Sequence, residues 1–184
     1  MTLKIISGLF KGRVLKTPKG SSTRPTQGML REAVFNICQN EIPDSKFLDL
    51  FAGSGAMGFE ALSRGASHVT FVDQNRNATS CIKENIATLQ MQAHTTLIPL
   101  NAARALEMLS KKSAQFDIIY IDPPYDIPFK LESVSPLLAP NGIVLLEERH
   151  NPKKPHAPQQ APHLQFKETR RFGIALLSIF HYIS

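Results

Sequence analysis

"KFLDLFAGSGAMGFEALSRGASHVTFVD", residues 46–73, is the stretch whose reading decides the fold. "KFLDLF" (46–51) has the apolar run of a buried strand, "AMGFEALSRG" (56–65) reads as a helix ended by glycine, and "HVTFVD" (68–73) is a second strand. Between the first strand and the helix, Gly53, Gly55 and Gly58 stand at G-x-G-x-x-G spacing. A strand, a helix and a strand with connections this short make a right-handed crossover between parallel neighbours.

The alternation continues toward the C-terminus. A helix from about Asn75 to Leu89 leads to a short strand, "TTLIPL" (95–100), a helix, "AARALEML" (102–109), and a strand, "FDIIYID" (116–122). "FKLESVSPLL" (129–138) is predicted as a helix and "GIVLLEE" (142–148) as a fifth strand. Five strands separated by helices imply a parallel sheet covered on both faces. "HNPKKPHAPQQAPH" (150–163) has four prolines and no periodicity, so it is read as an exposed loop. "LQFKETRRF" and "IALLSIFHYI", separated by Gly173, are expected to add an antiparallel pair and bring the sheet to seven strands. Upstream, "LKIISGLFKGRVLKT" (3–17) reads as two short strands about a turn at "FKG", "PKGSSTRPT" as a loop, and Thr26 to Asn40 as a helix. The expected fold is therefore α/β and Rossmann-like, a mostly parallel seven-stranded sheet with a small N-terminal β-hairpin. Residues 1–25 form the hairpin and its loop, and residues 26–184 one domain.

Composition narrows the function. The chain has 184 residues, 42% of them hydrophobic, enough for one core. Cys38 and Cys81 have neither ligand spacing nor the even framework of a secreted scaffold, and are expected to be reduced. No stretch has membrane-spanning length and the N-terminus lacks an apolar signal region, so a cytoplasmic protein is expected. The net charge of +6 is uneven. Lys4, Lys11, Arg13, Lys16, Lys19, Arg24 and Arg31 fall within the first 31 residues, which contain no acid, while the rest holds 14 basic and 15 acidic residues. A basic leading segment on a near-neutral body points to a polyanionic partner. His150, His156 and His163 lie in the proline-rich loop at no recognised metal spacing, and no metal is expected.

The glycine loop has the letters of a dinucleotide fingerprint, with Asp73 at the end of the next strand. Its physical content is broader. Glycines permit close backbone approach, and an acid on the second strand accepts hydrogen bonds from both hydroxyls of a ribose. Asp49, inside the first strand, suits a cationic amino-acid moiety, which favours S-adenosylmethionine over NAD. "DIIYIDPPYD" (117–126) decides further, because it ends a buried strand on an acid, two prolines and a tyrosine. An exocyclic amine is a weak nucleophile while its lone pair is delocalised into the base. Acceptors on its two hydrogens, the Asp122 carboxylate and the Pro123 carbonyl, would turn that lone pair toward an incoming methyl. Tyr125 offers a face on which the base stacks.

"FAGSGAMGFEALSRGA", "DPPY" and "RPTQGMLREAVFNI" together resemble the RsmD family of bacterial methyltransferases, which modify guanine N2 in small-subunit (16S) ribosomal RNA. The resemblance covers nearly the whole chain and implies a class I S-adenosylmethionine-dependent methyltransferase fold. It further implies that Phe51, Ala52, Gly53, Ser54 and Gly55 hold the methionine portion and Asp73 the ribose, while Asn101 and Ala102 meet the adenine. Asp122, Pro123, Pro124 and Tyr125 would form the target-base site, and Arg24, Pro25 and Thr26 would line the cleft. "QGML" departs from the family's "DRVR"-like stretch, and Asn101 stands where an acid is common. Lys11 and Arg13 would grip RNA phosphates, in free RNA or within a partly assembled subunit, with the enzyme a monomer. A DNA adenine or cytosine amino-methyltransferase would use the same "DPPY" chemistry but normally needs a recognition insert. A protein glutamine methyltransferase fits the basic hairpin less well. An NAD-dependent oxidoreductase leaves "DPPY" unexplained, and an RNA-binding module that has lost catalysis would not keep every catalytic position filled.

Overall fold

The computed structural model describes residues 2–18, 25–124, 129–153 and 156–183. Its centre is a seven-stranded sheet in the order β3-β2-β1-β4-β5-β7-β6. The strands are β1 (Lys46–Leu50), β2 (His68–Val72), β3 (Thr95–Ile98), β4 (Phe116–Ile121), β5 (Leu138–Arg149), β6 (Leu164–Phe172) and β7 (Ala175–Tyr182). The first five are parallel, whereas β7 runs antiparallel to both β5 and β6. Among the described residues four α-helices flank it: α1 (Pro25–Ile37), α2 (Ala56–Ser63), α3 (Arg76–Leu89) and α4 (Ala102–Lys111).

Strand alternation sorts side chains into two cores. Phe47, Phe71, Ile118, Tyr120, Ile143 and Leu145 face α1, α2 and α3, whereas Leu48, Leu50, Val72, Ile119, Ile121, Val144 and Leu146 face α4 and residues 131–138. Buried on both faces, β1 and β4 read as the near-continuous apolar runs that marked them in the sequence. The β6 edge carries Lys167, Glu168, Arg170 and Arg171, charges that discourage further strand pairing. Arg170 Nη2 lies 2.6 Å from Glu168 Oε1.

Two expected elements differ. Residues 129–138 are not one helix but two short 3-10 turns, Leu131–Ser133 and Ser135–Leu137. Pro136 has no N–H for an i→i−4 bond and disfavours α geometry at Ser135, so the helix cannot propagate. β5 then starts at Leu138, four residues earlier than read. The N-terminal hairpin is also looser than two strands. Lys4 and Val14 form an isolated bridge, supported by Ile5 N to Arg13 O at 3.0 Å and Leu15 N to Leu3 O at 2.9 Å.

Its other donors go to α2. The Ile6 and Ser7 N–H groups donate to Glu60 Oε2 and Oε1 at 2.7 and 2.9 Å, and Phe10 N donates to Ser63 Oγ at 2.9 Å. Glu60 is fully buried and is also met by Arg64 Nε at 2.8 Å and Arg31 Nε at 3.9 Å. Arg31 Nη2 in turn donates to the Lys4 carbonyl at 2.8 Å. Asn85 on α3 holds the returning chain through both its amide groups, to Lys16 N and O. Ile5 and Leu15 belong to the same core as α1 and α2. Among the described residues, no helix is long and apolar enough to cross a membrane.

Candidate active site at the carboxyl ends of strands one and four

The chain leaves β1 toward β2 and β3 on one side and returns to β4 on the other, so the topological switch point lies between β1 and β4. Connections on opposite sides open a crevice there at the carboxyl ends of the strands. The glycine loop and "DPP" are the segments that follow these two strands, and Asp122 N donates to Leu50 O across the switch. Sequence positions 72 residues apart (122 − 50) are thereby adjacent.

The loop after β1 is shaped by backbone that only some residues adopt. Gly53 and Gly55 have φ of 54° and 76°, and Phe51, between Leu50 and Ala52, has φ of 67°. For a residue with a side chain this costs about 1 kcal/mol or more, and such strain gathers at functional sites. Phe51 is held by an edge-on contact with Phe129, 5.9 Å between ring centres. Gly58 answers a different need. A Cβ there would lie 2.2 Å from Phe71 Cε1, so its absence lets α2 settle on β2. A Cβ on Gly53 would meet nothing within 4 Å and would project into open space, which fits a loop that cradles a ligand.

Asp73 stands at the end of β2, half-buried, and fixes the loop from the side: Gly53 N donates to Oδ2 and Asn75 N to Oδ1, both at 2.7 Å. Asn101 is the N-cap of α4, its Oδ1 accepting from Arg104 N at 3.0 Å, and Ala102 begins the helix. The capping oxygen leaves the Asn101 side-chain N–H groups for a ligand. Asp49, 1% exposed, accepts from Gly58 N at 2.9 Å. Burial pushes its carboxyl up to about 8 despite that bond, and Asp122 and Asp73 add to the rise. These residues fit an adenosine cofactor with a cationic tail: an open cradle, an acid on the second strand, and beneath the loop a buried carboxyl whose ionised form a bound cation would favour.

β1 and β4 run in register with Asp49 opposite Tyr120. Tyr120 and Asp122 are two apart and share a face, as do Leu145 and Glu147 on β5, where Tyr120 pairs with Leu145. Asp122 and Glu147 are thus neighbours on adjacent strands. Asp122 is open to the crevice, but the protein packed around its carboxyl, and then the Glu147 charge, raise it to about 7. Burial also raises Glu147, a rise opposed by Tyr120, whose hydroxyl donates to Glu147 Oε2 at 2.6 Å. Pro123 is buried and Pro124 exposed.

The structure therefore gathers Asp49, Phe51, Ala52, Gly53, Ser54, Gly55, Asp73, Asn101, Ala102, Asp122, Pro123 and Pro124 along one edge of the sheet. Arg24 and Tyr125 lie outside the described residues, as does the side chain of Thr26. Lys11 and Arg13 are not brought to this edge. Leu9 N donates to Ser63 O at 2.7 Å, so the hairpin turn sits at the C-terminal end of α2, the length of that helix from the glycine loop, about 12 Å. Arg31 is buried and Lys16 pairs with Glu84, so neither is a free cation of the basic segment. The sequence reading passed over Glu147 and Tyr120. The available signal was the one that marked Asp122, an acid at the end of a buried strand, here within "IVLLEE".

A family profile described as "Conserved hypothetical protein 95" matches residues 3–181. The chain is 43% identical over 123 residues to "Putative rRNA methyltransferase YlbH" of Bacillus subtilis (strain 168), covering 67% of each. It is 36% identical over 140 residues to "Ribosomal RNA small subunit methyltransferase D" of Escherichia coli (strain K12), covering 76% of this chain and 68% of that one. The solved structure "Putative methyltransferase yhhF from Escherichia coli" superposes with a TM-score of 0.82 at 29% identity, covering 99% of this chain and 98% of that one. Strand order, the antiparallel closing pair and these likenesses agree on the class I methyltransferase fold. By its profile, its relatives and the crevice its sheet builds, the chain belongs to the RsmD family.

Proposed function

We propose that the protein transfers the methyl group of S-adenosylmethionine to the exocyclic N2 amine of a guanine in small-subunit ribosomal RNA. The observation that carries this reading is the placement of Asp122-Pro123-Pro124 across the switch point from the glycine loop, with Asp122 N bonded to Leu50 O. The printed names of the relatives in Bacillus subtilis and Escherichia coli support ribosomal RNA as the substrate.

S-adenosylmethionine, when bound, supplies a methyl made electrophilic by its sulfonium. Asp73 and Asn101 hold the adenosine end, and the loop from Phe51 to Gly55 with Asp49 beneath it holds the methionine end. The target base leaves its stack and enters beside Asp122. The Asp122 carboxylate accepts one N2 hydrogen and the Pro123 carbonyl the other, which frees the lone pair for in-line attack. The cofactor would supply the methyl, its C–S electrons leaving on sulfur, and Asp122 would take the proton that the amine, made acidic as it is methylated, gives up. Positioning and electrostatics carry most of the acceleration. The roles the family resemblance implies for Tyr125, and for Arg24 and Thr26, are stacking on the base and lining its entrance. Lys11 and Arg13, at the far end of α2, hold phosphates flanking the target.

The test is methyl incorporation from labelled S-adenosylmethionine into unmodified small-subunit RNA, partly assembled subunits and DNA, with nucleosides identified after digestion. N2-methylguanosine from an RNA sample, reduced by about 100-fold or more in Asp122→Ala while cofactor affinity is kept, is the expected result. Methyladenine or methylcytosine in DNA would overturn the substrate and leave the fold intact.

A further inference from the structure

We infer that Glu147 selects guanine at this site by accepting the N1 hydrogen of the base while Asp122 accepts from the adjacent N2 amine. The assignment rests on the guanine-N2 reading above and deepens it. Its ground is the register: Tyr120 opposite Leu145 and Ile121 opposite Leu146 bring the next positions, Asp122 and Glu147, side by side on one face.

The three bases that carry an exocyclic amine on the pairing edge differ at the neighbouring ring nitrogen. In guanine, N1 bears a hydrogen beside the N2 amine. In adenine N1, and in cytosine N3, the nitrogen is a bare acceptor beside its amine. "DPP" alone does not distinguish these edges, because each offers two amine hydrogens. Two adjacent carboxylates do. Ionised, they only accept, so the donor–donor edge of guanine pairs with both and a donor–acceptor edge sets a lone pair against Glu147.

Glu147 is built to be the fixed member of this pair. It is 8% exposed, and the Tyr120 hydroxyl, itself buried, donates to its Oε2 and holds the carboxylate in one orientation. Among the described residues, Tyr120 is its one hydrogen-bond donor. Facing a base that has no hydrogen for it, a carboxylate this deep keeps only its Tyr120 donor and has its other oxygen unmatched in a low-dielectric site, and that mismatch is what gives strong discrimination. Asp122, open to the crevice, is the member that meets the reacting amine.

The experiment uses small-subunit RNA in which the guanosine methylated by the wild-type protein is replaced by 2-aminopurine riboside, which keeps the N2 amine but has a bare N1. Transfer is followed at about pH 8, above the value of about 7 to which Asp122 is raised. Wild-type protein is expected to prefer guanine on the order of 100-fold in kcat/KM. Glu147→Gln, whose amide keeps an acceptor for Tyr120 and offers a donor to N1, is expected to lose guanine activity and gain on 2-aminopurine, narrowing the preference to about 10-fold or less. Equal wild-type rates on the two bases, or an undiminished preference in Glu147→Gln, would overturn the assignment alone. Absence of N2-methylguanosine from the guanine RNA would overturn the underlying reading together with it. Unchanged affinity for S-adenosylmethionine and an unchanged melting temperature establish that the variant is folded. Should it fail to fold, the wild-type comparison still decides, since it needs no substitution.

Discussion

Asp49 and Asp122 behave as they do because protein packs around them and other carboxyls stand close by, not because of anything in their own chemistry. Asp49 is ionised at ordinary pH in an unfolded chain but sits near 8 in the folded one, so between about pH 4 and pH 8 the native state holds a proton that the unfolded state has released. Stability is therefore highest at the acid end of that window and falls as pH rises, by up to about 1.4 kcal/mol per pH unit from this group alone. Denaturant midpoints measured across the window are expected to show that fall in the wild type and a flatter line in Asp49→Asn. The rate of methyl transfer has the opposite sense. In the proposed mechanism Asp122 accepts the amine hydrogens as a carboxylate, and with its value near 7 the rate is expected to climb between about pH 6 and pH 8. Asp122→Asn should give a low rate without that climb.

At the scale of the element, α2 shows how eight residues serve two ends of a site. Gly58 lets its first turns lie against Phe71, and Gly58→Ala, whose added carbon falls 2.2 Å from the Phe71 ring, is expected to cost about 1–3 kcal/mol by urea unfolding. Glu60 is turned toward the N-terminal hairpin, where it takes the Ile6 and Ser7 amides and pairs with Arg64. Glu60→Ala leaves buried cations and amides unpaired, for a loss of about 3 kcal/mol, and limited proteolysis should then cut within residues 2–18 before the sheet. The hairpin and the 129–138 segment are the two elements whose form the sequence misled. In the hairpin, backbone donors that would close a strand ladder are diverted to a helix 53 or 54 residues away. In the other, one proline outweighs the apolar spacing around it.

The whole molecule separates its charges. Acids gather under the crevice, at Asp49, Asp73, Asp122 and Glu147, whereas the basic surplus lies along the N-terminal segment. Once Arg31 is spent on Lys4 and Glu60, and Lys16 on Glu84, Lys4, Lys11 and Arg13 are the described cations of residues 2–18 that remain for a polyanion. Neutralising these three is expected to weaken RNA binding and reduce the slope of log affinity against log salt by about 2, with affinity for S-adenosylmethionine unchanged. Equal slopes in titrations over a range of salt would remove the hairpin from the RNA-binding surface.

The seven strands, their parallel and antiparallel senses and the glycine loop were legible in the sequence because each is written locally. Apolar runs of strand length, glycines at fixed spacing and an acid followed by two prolines need no distant partner to be read. The sequence also determined that the segments following β1, β2, β3 and β4 lie along one edge, because in an open parallel sheet the chain direction alone sends every strand's carboxyl end there. What only the tertiary structure decided are the pairings across the sheet and between layers. The register of β4 on β5 made Glu147 the neighbour of Asp122, and Tyr120 fixed it there. The grip of Glu60 and Ser63 on residues 6–10 carried the hairpin turn to the opposite end of α2 from the crevice. Neither follows from spacing, because register and docking are set by the sum of contacts between segments far apart in the chain, and no local pattern contains that sum.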